Sequence, residues 1–155
     1  MKSLSLNQIP ILLDTTYIMP IIGIDVEDIE EVLTTLRELY SHDKIKIYYT
    51  PFNILEVIAK LSKITYNEKR VKLGLKSMRE NFTLTHPTIK GYMEALKLRS
   101  LGFRDIIDLL LYTTAKTRKL KLLTRDQELI NFLKQIGENT TYIITEEEIK
   151  AIQGK

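Results

Sequence analysis

The chain has 155 residues, 44% of them apolar, and a formal net charge of +3; that suits one ordinary globular domain over 1–155 with a real core. It has no cysteine and two histidines, His42 and His86, which excludes disulfides, zinc–thiolate sites and thiol catalysis and leaves acid–base or metal chemistry to carboxylates. No apolar run approaches the roughly 18 residues that span a membrane, and the opening MKSLSLNQIPILLD, interrupted by Asn7 and Gln8, does not read as a signal peptide, so the expectation is a cytoplasmic protein with no membrane contact.

In chain order, ILLD (11–14) reads as a strand, and 25–41 as a helix that opens on the acidic run DVEDIEE (25–31). That run is expected to be an exposed helix start, since acids favour a first turn. KIKIYY (44–49) is the next strand. Thr50 then caps a helix over 51–64, with Pro51 at its first position. A further helix covers 66–81, FTLT (82–85) is a short strand, His86-Pro87 is a turn, and 88–100 is a helix stopped by Gly102. The helix 104–119 leads into the strand LKLLT (120–124), followed by a helix over 126–136 that Gly137 stops. Last come the strand TYIIT (141–145) and a helix over 146–152, opened by the capping box Thr145 to Glu148. Strands alternating with helices, and nearly continuous apolar strands, predict a three-layer α/β/α sandwich around a mostly parallel five-stranded sheet, with 51–100 as an added helical arm.

In such sheets the working site lies beyond the carboxyl ends of the strands, where strand order reverses. Asp14 ends the first strand, and Asp126 follows the fourth by one residue. Glu56 lies in the second turn of the helix after the second strand, and Asp108 near the start of the helix leading into the fourth. Topology therefore brings four acids from distant segments to one edge. Clustered carboxylates repel one another and stay partly protonated; a hard divalent ion, Mg²⁺ or Mn²⁺, removes the conflict and suits phosphodiester hydrolysis, because it activates water and neutralises phosphate charge. Each acid also has a plainer reading. Asp126 fits an N-cap and Asp14 a turn cap beside Thr15 and Thr16, while Glu56 fits an exposed pair with Lys60. Asp105 fits the N-cap of its helix, but Asp108 sits among Leu111, Tyr112 and Ala115 and needs a cation or donors.

Two basic stretches point to a polyanion partner. The first runs from Lys60 to Arg79, where Lys69, Lys72, Lys76 and Arg79 fall on one flank of a helix whose Val71, Leu75, Met78 and Phe82 face inward. The second holds Lys116, Arg118, Lys119, Lys121 and Arg125. Arg104 and Arg125 stand nearest the proposed acids. A solvated helix face is the alternative for either stretch.

LLDTTYIMP, YYTPFNILEVIAKL and DLLLYTTAKTRKLKLLTRD together resemble the PIN-domain ribonucleases, particularly toxins of the VapBC type. The resemblance covers nearly the whole chain. It carries over the strand-end Asp followed two residues later by Thr16, the Glu at Glu56, the helix-borne Asp108, and the closing Thr-x-Asp of Thr124 and Asp126. The 18-residue step from Asp108 to Asp126 has the family's register. The family often has small residues after its third acid, where Leu109, Tyr112 and Thr113 stand here and only Ala115 is retained. The resemblance implies Mg²⁺ or Mn²⁺ held by Asp14, Glu56, Asp108 and Asp126, with Thr16 and Thr124 orienting ligands around them; Asp105, the expected cap of the helix that carries Asp108, is a further residue expected around the site. It also implies cleavage of single-stranded RNA to a 3′-hydroxyl and a 5′-phosphate, a homodimer, and an antitoxin partner. Two rivals remain: a PIN-like binding module with weak or no catalysis, and a phosphatase of the haloacid-dehalogenase type, whose nucleophilic Asp is usually followed two residues later by a second Asp where Thr16 stands.

Overall fold

The computed structural model describes residues 7–154. The first six residues, part of the opening stretch considered above for a signal peptide, lie outside the described residues. The elements run β1 (Ile9–Leu13), α1 (Thr15–Ile18), a 3-10 turn (Met19–Ile22), α2 (Glu30–Ser41), β2 (Ile45–Tyr49), α3 (Pro51–Leu61), α4 (Glu68–Asn81), β3 (Thr83–Leu84), α5 (Ile89–Ser100), α6 (Ile106–Arg118), β4 (Lys121–Leu123), α7 (Gln127–Gln135), a 3-10 turn (Thr140–Tyr142), β5 (Ile143–Ile144) and α8 (Glu146–Gln153).

The sheet order is β3-β2-β1-β4-β5, and all its pairings are parallel. Chain order reverses between β1 and β4, where Leu13 pairs with Leu123. Alternation along β1 splits the interior into two cores. Ile11 and Leu13 pack with Val32, Leu36, Val57, Met78 and Ile149 on one face, and Leu12 packs with Ala95, Leu109, Tyr112, Leu122 and Leu133 on the other. Helices α2, α3, α4 and α8 therefore cover one side of the sheet, and α5, α6 and α7 cover the other. That is the three-layer sandwich expected.

Capping chemistry sets several helix starts. Thr50 accepts the Asn53 N–H, with Pro51 at the first helical position, and Thr145 and Glu148 close a reciprocal capping box. Gly102 and Gly137 take positive φ just past α5 and α7, as expected of helix stops. Within the arm, Gly74 of α4 lies so close to the 3-10 turn that an added Cβ would stand 2.4 Å from the Ile21 carbonyl oxygen.

The structure corrects three boundaries. The segment 15–22 is helical, as α1 and the 3-10 turn, and is too short to show a helical period in sequence. The acidic run 25–31 is mostly loop: Asp28 takes φ 52 and α2 begins only at Glu30, so two of its five acids reach the helix. The last strand shortens to Ile143–Ile144 because Thr140–Tyr142 form a 3-10 turn, in which Asn139 accepts the Thr141 N–H. Among the described residues no helix is long and apolar enough to cross a membrane.

Candidate active site

Asp14, Glu56, Asp108 and Asp126 line one cleft of about 390 Å³ beyond the carboxyl ends of β1 and β4, together with Thr15, Thr16, Met19, Val26, Lys60 and Arg125. The four acids expected at one edge thus share one opening.

Each carboxylate is fixed by local chain geometry. Asp14 is 9% exposed and caps α1: its Oδ1 accepts the Thr15 N–H at 2.7 Å. Its Oδ2 accepts the Thr124 hydroxyl at 2.8 Å, and the Thr124 oxygen accepts the Asp126 N–H at 3.0 Å. Asp126 caps α7 through Oδ1, which accepts the N–H groups of Glu128 and Leu129. The capping role and the place in the cleft therefore coexist. Asp105 caps α6 by accepting the N–H groups of Ile107 and Asp108, and its charge also acts on Asp14, Glu56 and Asp108.

Glu56 accepts the Thr15 hydroxyl at 2.5 Å rather than forming the exposed pair with Lys60. Thr15 in turn accepts from Asn53 Nδ2 at 3.0 Å, and the same amide donates to the Leu13 carbonyl at 3.2 Å. Asn53 Oδ1 accepts both the N–H and the hydroxyl of Thr50. This fully buried amide ties the start of α3 to the end of β1 and so sets where Glu56 stands. Thr16, chosen from the sequence, lines the cleft; Thr15 beside it holds Glu56. The signal for Asn53 was present in sequence, because it occupies the third position after the Thr50 cap and precedes Glu56 by three residues, on the same helix face.

Asp108 is half-buried on the rim of α6, above Leu111, Tyr112 and Ala115, which are fully buried beneath it. Burial, a hydrogen bond shared with Asp126 and the charges of Asp14, Asp105 and Asp126 push its carboxyl up to about 9. Burial is also the main cause of the rise at Asp14 and at Glu56, opposed by the hydrogen bonds from Thr124 and Thr15. The cleft concentrates negative charge that only protons or a cation relieve.

The PIN domain family model matches residues 11–134, from β1 through α7 and including all four acids. The chain belongs to the PIN domain family. In this PIN domain the fold is also shared with known structures. A chain in the crystal structure of VapBC2 from Rickettsia felis, bound to a DNA fragment from their promoter, aligns with TM-score 0.65 at 15% identity, covering 88% of this chain and 98% of that one. VapBC-1 from nontypeable Haemophilus influenzae aligns with TM-score 0.63 at 14% identity, over 90% and 99%. PAE2754 from Pyrobaculum aerophilum aligns with TM-score 0.60 at 16% identity, over 95% and 97%. At such identities the likeness is one of fold. No curated protein sequence matches the chain.

The basic residues of this PIN domain divide differently from expectation. Lys69, Lys72, Lys76 and Arg79 are exposed on α4, Lys76 against Glu80, and none of them lines the cleft. In the second stretch, Lys116 pairs with Glu94 and Glu138, Arg118 donates to the His86 carbonyl and Lys121 to that of Thr141. Those side chains serve internal contacts, which a run of basic letters cannot reveal. Arg104 is exposed outside the cleft lining. Among the described residues, Lys60 and Arg125 are the cations that line it.

Proposed function

We propose that the chain is a metal-dependent endoribonuclease acting on single-stranded RNA, the toxin of a toxin–antitoxin pair, with residues 1–155 forming one PIN domain. The observation that carries this reading is the single cleft that gathers Asp14, Glu56, Asp108 and Asp126, where burial and the neighbouring acids hold the Asp108 carboxyl well above its ordinary range. Such a set is stable at neutral pH only if it keeps a proton or gains a cation.

The donor chemistry fits Mg²⁺ or Mn²⁺, which favour oxygen ligands and bind through carboxylates. Asp14, Glu56, Asp108 and Asp126 would hold the ion, which when bound makes water a stronger nucleophile and neutralises phosphate charge. The chain's own part is orientation. Thr124 and the Thr15 N–H fix both oxygens of Asp14, and the Thr15 hydroxyl holds Glu56. Thr16, on the cleft wall, is placed to contact what enters it. An antitoxin protein as partner is supported by the VapBC structures that share the fold, and a second copy of the chain by an outward apolar stripe on α5 (Ile89, Tyr92, Met93, Leu96). A cytoplasmic location follows from the same reading.

The test is cleavage of single-stranded RNA by the purified chain with Mg²⁺ or Mn²⁺, with EDTA, and with D14N. Cutting that needs the ion and disappears in D14N supports the proposal. Folded wild-type protein that binds RNA and leaves it intact in both ions sinks it. That second result is the expectation of the rival reading, a PIN-like RNA- or protein-binding module with weak or no catalysis.

A further inference from the structure

Arg125 lies between Thr124, which holds Asp14, and Asp126, and it lines the same cleft. Three separate segments fix its guanidinium. Nε donates to Glu146 Oε2 at 2.7 Å, Nη1 to the Glu27 carbonyl at 2.9 Å, and Nη2 to the Asp28 carbonyl at 2.9 Å. The Tyr17 ring lies 6.0 Å from the guanidinium carbon, and the Tyr17 hydroxyl donates to the same Glu146 oxygen at 2.7 Å. Burial opposes ionisation of Glu146, but the Arg125 and Tyr17 hydrogen bonds outweigh it and hold the carboxyl below its usual range.

The Arg125 side chain keeps 32% of its exposure, and three of its five N–H groups are accounted for by the named acceptors. Among the described residues Lys60 is the other cation that lines this cleft. The acids on the floor repel any polyanion that approaches, so a bound strand needs cations within a Debye length of the phosphates, about 8–10 Å. A planar guanidinium meets a phosphate with two parallel hydrogen bonds and needs its plane held still to do so.

We propose that the cleft contains a phosphate-binding subsite in which Arg125 takes the phosphodiester oxygens of a nucleic-acid strand, Lys60 adds a second cation to the same cleft, and Glu146 is the positioning residue that aims Arg125. Glu146 begins α8, beyond the segment 11–134 that the family model matches. The C-terminal helix therefore acts on the cleft through its bond to Arg125. The identity of the ligand as a nucleic-acid strand rests on the nuclease reading, but the subsite can be tested without catalysis.

The experiment is fluorescence anisotropy of a labelled single-stranded RNA with the full chain in EDTA, over a range of salt. R125A is expected to weaken binding about tenfold and to lower the slope of log affinity against log salt by about 0.7. R125K keeps the charge and the slope but loses about threefold in affinity. In an E146Q background R125A costs less than about threefold, because the guanidinium is already unaimed. Y17F, which removes only a hydroxyl bonded to Glu146, weakens binding about twofold and serves if R125A fails to fold by circular dichroism. Folded R125A with wild-type affinity and slope overturns the subsite, as does wild-type protein that binds no RNA at any salt. An equal cost of R125A with and without Glu146 overturns the positioning role. RNA that is bound through Arg125 but never cut in Mg²⁺ or Mn²⁺ supports the subsite and refutes the nuclease reading, so the two failures stay distinguishable.

Discussion

The Thr124 hydroxyl donates to Asp14 Oδ2 at 2.8 Å while its oxygen accepts the Asp126 N–H at 3.0 Å, so one side chain couples the end of β1 to the turn after β4. Both bonds are lost in T124V, which leaves a buried carboxylate oxygen and a backbone N–H without partners. A hydrogen bond to a charged group contributes about 1.5–3 kcal/mol. T124V should therefore melt roughly 4–8 °C below wild type, and T124S within about 2 °C of it. Equal melting of T124V and wild type by calorimetry would remove the coupling role.

Binding of the divalent ion should release protons. Asp108, Asp14 and Glu56 all have carboxyls raised above their ordinary range, and an ion displaces protons from groups that must ionise to bind it. Titrating Mn²⁺ into EDTA-stripped, dialysed protein at pH 7, in buffers of different ionisation heat, should show release of about one proton. Affinity should rise with pH toward 9. Heats independent of buffer would count against the four acids as the ion's ligands.

Stability of the metal-stripped protein should fall as pH rises. A folded carboxyl raised above its unfolded value of 3.8 binds more protons in the native state. Its contribution is complete below 3.8 and is lost as pH climbs through about 9. D108N stays neutral without having to hold a proton and keeps the shape, so it should raise the melting temperature in EDTA at pH 8 by roughly 3–6 °C. The gain should vanish near pH 4. A D108N melting point below wild type at pH 8 would show that the cleft carries no such repulsion.

Helix α5 is apolar on two opposite sides. Gly91, Ala95 and Leu98 face the core, whereas Ile89, Tyr92, Met93 and Leu96 face outward, Ile89 being 84% exposed. Ile89, Met93 and Leu96 follow steps of four and three, the spacing of a helix–helix seam. Phe52 of α3 packs edge-on to Tyr92, and Leu55 and Ile58 of the same helix are exposed as well. M93D with L96D should convert a dimer to a monomer in light scattering, with the circular dichroism spectrum unchanged. A wild-type chain that is monomeric at tens of micromolar would dismiss the second copy.

The four acids were legible because apolar runs fix where strands end, and a parallel sheet sends every strand end to one edge. Caps were legible for the same local reason, as Thr50, Asp105 and Thr145 stand immediately before helical periods. The choice between Thr15 and Thr16 was not, because it depends on the turn of a four-residue helix that leaves no periodic trace. Nor could the fate of Arg125 be read. Two of its partners are backbone carbonyls 97 and 98 positions away, in a loop whose conformation the acidic letters disguised as a helix. Charge patterns report composition, whereas the pairing of each charge is decided by packing across elements.

Position 74 shows how far such packing reaches. With the Ile21 carbonyl filling the space where a methyl group would stand, α4 meets the turn after α1 backbone to backbone, and that turn continues directly from the two threonines of the cleft. Helix α4 is thus keyed to the acid site without lining it. G74A would have to pry α4 away from the 3-10 turn, and the disturbance would travel along Met19–Ile22 toward Thr15 and Glu56. A chain drifting in sequence can recolour most of α4's surface, but this one position is closed to every side chain, so the absence of an atom on the outer layer becomes part of what holds the carboxylates in place.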